Sequence, residues 1–301
     1  MARPAQPVPV GLAPHLARST ALTGRAAGTT RRGGSAGTQR RGRLRDRAAY
    51  NAPVSLQIPW LDDDPASPFP AVGRVPGLPD GLLAVGGDLS PTRLLNAYRQ
   101  GIFPWYSKGQ PILWWSPDPR TVFRTDGVRL SSRFRRSLRR SGWVARADTA
   151  FAGVIERCAR IPRRGQAGTW ITAEMQAAYL HLHRLGHAHS VEVYEGEAAG
   201  APLAGGIYGV SVGRMFFGES MFSAAPGGST AALAALAGWL RDRDWPLIDA
   251  QVESPHLLFL GAARMPREHF MDAIGPLVNA PVPPGPWTDA FGRIPLRTLA
   301  T

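Results

Sequence analysis

Two stretches decide how this chain reads: Phe216-Phe217-Gly218-Glu219-Ser220-Met221-Phe222-Ser223 and, downstream, Leu247-Ile248-Asp249-Ala250-Gln251. Each sets a carboxylate inside an apolar, strand-like run. A solvated edge strand has no need of Phe and Met on both sides of its Glu. Burying a carboxylate is costly unless it is paired or hydrogen-bonded. Such a residue is therefore either functional or a structural group satisfied by Arg and backbone N–H groups, and the pattern alone leaves both readings open. In a regular strand Asp249 and Gln251 point to the same face. Strict alternation puts Phe216 and Met221 on opposite faces; a bulge at Gly218 returns them to one. With Ile207, Leu236 and Leu240 they form either plain core or an adaptable pocket, since Met beside aromatics packs pliably.

Around these strands the punctuation predicts an α/β chain with a mixed sheet. Ser90-Pro91 opens a helix through Leu94, Leu95 and Tyr98 that Gly101 ends. The Trp- and Pro-rich run from Ile102 to Pro117 reads as a rigid, non-regular segment packed on a second domain. Ser131 or Ser132 caps a helix to Gly142, Asp148 caps one to about Arg160, and Thr172 starts one that Gly186 closes. Strands follow at His189–Glu195, Leu203–Ser211 and Arg214–Ser223, then an apolar helix at Ala231–Arg241 and a buried strand at Leu247–Val252. Ser254-Pro255 opens a short helix ending at Gly261. The expected divisions are a disordered Arg/Gly-rich tail (1–50), a small N-terminal domain (51–118), a catalytic domain (119–285) and a C-terminal tail (286–301).

The net charge of +13 is unevenly placed: residues 1–47 hold ten Arg and one Asp, leaving +4 for the rest. That stretch has no Trp, Phe, Tyr or Ile and cannot offset its ordering entropy by burial. It lacks the apolar core of a secretory signal. Its Arg-rich, acid-poor make-up mimics a transit peptide, but a tail or an over-extended gene start accounts for it better. No apolar run is long enough to span a bilayer. The single cysteine, Cys158, excludes an intramolecular disulfide and fits a reducing cytoplasm.

Between Arg129 and Arg146 lie seven Arg and no acid. On a helix Phe134 and Leu138 share one face, while Arg133, Arg135, Arg136, Arg139 and Arg140 fan across the opposite arc. A solvated face usually mixes signs, so a phosphate backbone is the better partner for this one. His181, His183, His187 and His189 crowd together, but helical geometry and the lack of Cys or Asp nearby argue against a metal site. No P-loop, dinucleotide fingerprint or nucleophile elbow is present.

Eight ordered motifs resemble the leucyl/phenylalanyl-tRNA–protein transferases. They are Asp80-Gly81-Leu82-Leu83-Ala84-Val85-Gly86-Gly87-Asp88-Leu89-Ser90-Pro91, Ala97-Tyr98, Gly101-Ile102-Phe103-Pro104-Trp105-Tyr106, Leu113-Trp114-Trp115-Ser116-Pro117-Asp118-Pro119-Arg120, Gly168-Thr169-Trp170-Ile171, His187-Ala188-His189-Ser190-Val191-Glu192, and the two opening stretches. The matches run from about residue 56 to about 272. The resemblance implies a small N-terminal domain followed by an acetyltransferase-like (GNAT-type) domain. It also implies a bacterial cytoplasmic enzyme, monomeric and without cofactor or metal. Such an enzyme moves Leu or Phe, less readily Met, from aminoacyl-tRNA to the α-amino group of proteins beginning with Arg or Lys, marking them for proteolysis. By position, Asp249 and Gln251 are the implied reaction-centre pair, with Glu219 a second polar group of the site. Trp105 and Trp170 are implied contacts to the 3′ adenosine. Met221, Phe216, Ile207, Leu236 and Leu240 are implied pocket residues.

The chain departs from the family where Asn-Ala-Ser-Lys becomes Gly227-Gly228-Ser229-Thr230, where a Ser becomes Phe259, and at Ala250 in Asp-Cys-Gln. Two other classes compete. A non-catalytic RNA-binding module would use the Arg helix but has no need of Glu219 and Asp249. A coenzyme-A acetyltransferase wants a Gly-containing pyrophosphate loop, which the folded region lacks.

Overall fold

The computed structural model describes residues 58–74, 78–161 and 169–300. The chain divides into two units, 1–57 and 58–301, and the structure below is that of the second. The expected tail, 1–50, and Gly168 lie outside the described residues.

The unit contains two sheets. The first holds β1 (Trp60–Leu61), β2 (Leu82–Gly86), β3 (Phe103–Pro104) and β4 (Leu113–Trp115), with α1 (Pro91–Arg99) between β2 and β3; its order is β1-β2-β4-β3. The Trp- and Pro-rich run expected to be non-regular therefore supplies two short strands. Indole N–H groups fix them: Trp114 donates to Gly86 O at 2.9 Å and Trp115 to Trp105 O at 2.7 Å. Pro104 sits on the edge strand, where a missing N–H is tolerated. Ser90 caps α1 as expected, accepting from Arg93 N. The Arg93 side chain is fully buried and ties the loop at Asp62 and Asp64 to the helix through their carbonyls.

The larger sheet begins with β5 (Arg120–Arg124), at the chain position where the sequence places a domain boundary. There follow α2 (Ser132–Arg140), β6 (Val144–Ala147), α3 (Phe151–Arg160), α4 (Ala173–Arg184), β7 (Ala188–Tyr194), β8 (Leu203–Val212), β9 (Met215–Ser223), α5 (Gly228–Arg241) and β10 (Leu247–Gln251). The chain ends with α6 (Pro255–Phe259), β11 (Ala263–Met265), α7 (Arg267–Val278), α8 (Thr288–Phe291), β12 (Ile294–Pro295) and a 3-10 turn, Leu296–Ala300. The order is β11-β5-β10-β9-β8-β7-β6-β12. Only β9 and β10 run parallel, joined by α5; the other pairs are antiparallel. This is the expected mixed sheet after a small N-terminal one.

Side-chain alternation splits the core between two faces. Tyr208, Val210, Phe217 and Phe222 pack with Tyr98, Phe151, Tyr179 and Phe270 from α1, α3, α4 and α7. Ile207, Phe216 and Ile248 pack with Leu236 and Leu240 of α5. α5 is apolar nearly all round and is accordingly buried on most sides.

Two expectations need correction. Residues 286–301 are not a tail. Trp287 stacks on His189 with ring centroids 3.9 Å apart, β12 pairs with β6, and Phe291, Leu296 and Ala300 are buried. The Pro/Gly run before Trp287 hid this return to the core. Asp148 does not cap α3, whose N-cap is Ala150 with no side-chain cap. Asp148 instead accepts from His189 Nδ1, Ser190 N and Trp287 N. Glu192 serves the helix start, accepting from Thr149 N and Ala150 N.

The Gly227-Gly228 departure also has a packing cause. Gly227 caps α5 at φ +88°, and a Cβ there would lie 2.3 Å from the Phe134 ring of α2. Asn tolerates the left-handed region but cannot escape that ring. We predict that Gly227→Asn lowers stability by roughly 1–3 kcal/mol, the usual range for overpacking. Urea unfolding should show much of the loss relieved when Phe134→Ala is added. A cost independent of residue 134 would contradict the packing account.

Candidate active site

The site grows from two irregularities in adjacent parallel strands. On β8 and β9, Tyr208 faces Ser220 while the next residue, Gly209, faces Gly218; Glu219 is the extra residue of a bulge. The bulge expected at Gly218 is thus present, and it places Phe216 and Met221 in one apolar cluster while Phe217 and Phe222 share the other. On β10, Asp249 faces Val122 and Gln251 faces the neighbouring Thr121, so Ala250 is skipped. Gln251 takes φ +59°, a left-handed conformation that costs a non-glycine residue about 1 kcal/mol or more. The regular alternation assumed for Asp249 and Gln251 is broken between them by the register shift, and their side chains reach different partners.

Asp249 is fully buried and held by Arg120. Arg120 Nε donates to Oδ1 at 2.8 Å and Nη2 to Oδ2 at 2.6 Å. The same guanidinium donates from Nη1 to Gly101 O at 2.8 Å and lies between the Phe103 and Phe270 rings, 4.9 and 4.7 Å from their centroids. Gln251 N also donates to Asp249 Oδ1, at 2.8 Å, which secures the left-handed turn.

Glu219 has a different environment, with only neutral donors in contact. Tyr98 Oη and Gln251 Nε2 donate to Oε1 at 2.8 and 2.7 Å, and Tyr179 Oη donates to Oε2 at 2.9 Å. The two phenol oxygens are 2.5 Å apart. Burial pushes the Glu219 carboxyl up to about 7, and the charge of Asp249 adds to this; the hydrogen bonds from Tyr98, Tyr179 and Gln251 pull the other way. Burial, then the charge of Glu219, holds both phenols well above their ordinary range. Gly218, Ser220, Met221 and Ala250 are half-buried among fully buried neighbours, so the strands are open to solvent here.

The other predicted residues are spread over several elements. Met221, Phe216, Ile207, Leu236 and Leu240 all belong to the α5-side cluster, whereas Tyr98 and Tyr179, which hold Glu219, belong to the opposite one. The pocket candidates and the Glu219 carboxylate therefore lie on opposite faces of β9. Trp105 and Trp170 are half-buried. The segments that carry them are tied together, because Tyr106 donates to Glu174 at 3.1 Å. On α2, Arg139 donates to Ala300 O and Arg135 to Leu130 O, whereas Arg133, Arg136 and Arg140 are exposed. Of the crowded histidines, His183 bonds Ala188 O and stacks on Phe151, and His189 bonds Asp148. Among the described residues no group of three or more His, Cys, Asp or Glu is placed to hold a metal ion, and no helix is long and apolar enough to cross a membrane.

Arg120, Tyr98 and Tyr179 were not singled out as site residues. Arg120 carries the same signal that exposed Glu219, a charge opening an apolar strand. The tyrosines look like ordinary apolar positions on helix faces.

A family model described as leucyl/phenylalanyl-tRNA protein transferase matches residues 122–275, and the corresponding N-terminal-domain model matches 87–118. A leucyl/phenylalanyl-tRNA–protein transferase of Xanthomonas euvesicatoria pv. vesicatoria (strain 85-10) is 66% identical over 233 residues, 77% of this chain and 92% of that protein. The chain belongs to the leucyl/phenylalanyl-tRNA–protein transferase family. The aminoacyl-tRNA-dependent aminoacyltransferase expected from the motifs is the class of enzyme at hand. Relatives with the same name from Xanthomonas axonopodis pv. citri (strain 306) and Xylella fastidiosa (strain M23) are 62% and 59% identical, over 82% and 79% of this chain and 98% and 97% of theirs. Among solved structures, the structure of L-PGS from Bacillus licheniformis aligns at TM-score 0.34 and 10% identity over 58% of this chain and 57% of that one. The two matched regions of this family member are separated by residues 119–121, where the chain passes from the four-stranded to the eight-stranded sheet.

Two stability measurements follow. Asp249→Asn leaves the Arg120 guanidinium buried without its counter-charge, and should lower stability by roughly 3–5 kcal/mol in urea unfolding at neutral pH. A loss within about 0.5 kcal/mol would contradict the anchoring role. For Glu219, a folded-state value near 7 lies above the ordinary 4.5, so the folded protein binds the proton more tightly. Its contribution is full below pH 4.5 and is lost as pH rises through 7. Between pH 5 and 8 the stability of Glu219→Gln should therefore decline less than that of the parent; parallel curves would count against the buried-carboxyl account.

Proposed function

We propose that this chain transfers leucine or phenylalanine, and less readily methionine, from aminoacyl-tRNA to the α-amino group of proteins beginning with Arg or Lys, acting as a cytoplasmic monomer. The observation that carries the chemistry is the buried Glu219 carboxylate, held only by neutral donors where β9 opens to solvent. The reaction is aminolysis of an ester already activated on the tRNA. The acceptor amine must lose a proton to attack. Its nitrogen then forms the C–N bond, the C–O bond to the ribose breaks, and the ribose oxygen takes up a proton.

The family resemblance makes Asp249 and Gln251 the reaction-centre pair. The burial of Asp249 and its two bonds to Arg120 support an orienting role. Glu219 is the better acceptor, because its carboxyl lies near neutrality, where a base works best. Oε2 accepts one protein hydrogen bond, leaving room for a donor such as the incoming amine. Gln251 orients that carboxylate from Oε1. Holding ester and amine together supplies much of the remaining acceleration. Trp105 and Trp170 receive the 3′ adenosine, the α5-side cluster around Met221 takes the aminoacyl side chain, and the exposed arginines of α2 hold the tRNA backbone. The product carries an N-terminal residue that directs it to proteolysis.

The test is transfer of labelled phenylalanine from Phe-tRNA to a peptide beginning with Arg, run beside acetyl transfer from acetyl-coenzyme A. We expect the first and not the second. The rate should rise with pH through an inflection near 7. Glu219→Gln should lower it about 10²-fold or more, within the usual range for acid–base catalysis, and abolish the inflection. Undiminished transfer by Glu219→Gln would return the base assignment to another group; tRNA binding without transfer by the parent protein would favour the RNA-binding module.

A further inference from the structure

A cleft of about 890 Å³ lies at the outer edge of the large sheet, outside the site just described. Arg124, Arg129, Arg135 and Arg264 line it, with Asp126 the sole carboxylate on the lining. Val122, Leu130 and Met265 give it an apolar surface. We propose that this cleft binds the donor tRNA inward of its aminoacylated 3′ end, holding the phosphodiester backbone on its arginines. The proposal rests on the transferase reading and extends it to a second contact region.

Charge is the first argument. Arg124 and Arg264 bond Asp126 and Glu253, but these pairs are largely exposed. Exposed pairs contribute little and are screened by salt, so both guanidinium groups remain available to exchange onto phosphate. Among the described residues Arg129, also exposed, pairs with no carboxylate. Apolar lining beside arginines suits a nucleic acid, whose bases stack on such surfaces while the backbone meets the charge.

Position is the second. Val122 of the lining is the register partner of Asp249. The sheet order β11-β5-β10-β9 puts this edge two to three strand spacings from Glu219, roughly 10–15 Å at about 4.8 Å per strand. A strand of RNA leaving the reaction centre crosses that distance in a few nucleotides. Arg135 belongs to α2, so the cleft continues into the exposed Arg133 and Arg136. An acceptor beginning with Arg or Lys carries the wrong charge for this surface.

The experiment uses the full chain with Arg129→Gln and Arg264→Gln combined, both exposed positions, with the thermal midpoint as a check on folding. Phe-tRNA binding is read by its salt dependence, and transfer is read with two donors: Phe-tRNA and 3′-O-phenylalanyl-adenosine. We expect Phe-tRNA affinity to fall about tenfold at 0.15 M salt and the log–log salt slope to shrink by roughly one to two, about 0.7–0.9 for each lost phosphate contact. Transfer from phenylalanyl-adenosine and KM for the Arg-peptide should not change. Unchanged affinity and slope would overturn the proposal. So would a raised KM for the peptide alone, which gives the cleft to the acceptor. Inorganic phosphate or AMP binding that the double variant abolishes, with tRNA affinity intact, would make it a small-anion site and also overturn the proposal. Because binding is read without turnover, an inactive parent protein would sink the transferase reading while the salt slope still judges the cleft.

Discussion

The bidentate pair between Arg120 and Asp249 is the constraint on which the rest of the site depends. It joins the first residue of β5 to the middle of β10 and, through Gly101 O, to the turn after α1. The Phe270 ring against the guanidinium brings in α7. A buried ion pair adds little net stability over a well-packed apolar substitute, yet removing one partner is costly. Its value here is positional. With Asp249 fixed, its Oδ1 captures Gln251 N and holds Gln251 in a left-handed conformation that a side-chain-bearing residue rarely adopts. That turn delivers the Gln251 amide to Glu219.

Two carboxylates a strand apart are thereby given different tasks. Asp249 is matched by a cation. Glu219 is matched by two phenols and an amide, none of which carries charge, so the cost of burial falls on its carboxyl and raises it to about 7. Pairs of acids separated in this way by their surroundings are a common basis for acid–base chemistry at neutral pH. The bulges in β9 and β10 serve the same end. They break the alternation that would otherwise send these side chains to the faces set by a regular pleat.

Much of this was legible in the residues. The charges inside Phe216–Ser223 and Leu247–Gln251 marked the strands that carry buried carboxylates, Gly218 marked the bulge, and the caps at Ser90, Ser131, Thr172 and Ser254 marked helix starts that the structure retains. What escaped has physical causes. A tyrosine that packs as an apolar residue gives no sign in the pattern that its hydroxyl meets a carboxylate 40 residues away, as Tyr179 does with Glu219. Asp148 looks like a helix cap because its neighbours suit one, but His189 and Trp287 claim it from distant parts of the chain. The short strands around Trp114 and the return of Trp287 to the core are long-range pairings, which periodicity over a short window does not register.

The central claim is that Glu219 is a buried carboxyl held by neutral donors and titrating near neutrality. Carbon-13 NMR of the side-chain carboxyls in glutamate-labelled protein tests it without relying on turnover. Burial also pushes Glu192 up to about 7, so two glutamate signals should titrate there. One should vanish in Glu219→Gln, and the other should vanish in Glu192→Gln. A signal lost in Glu219→Gln that titrates in the ordinary glutamate range would contradict the account.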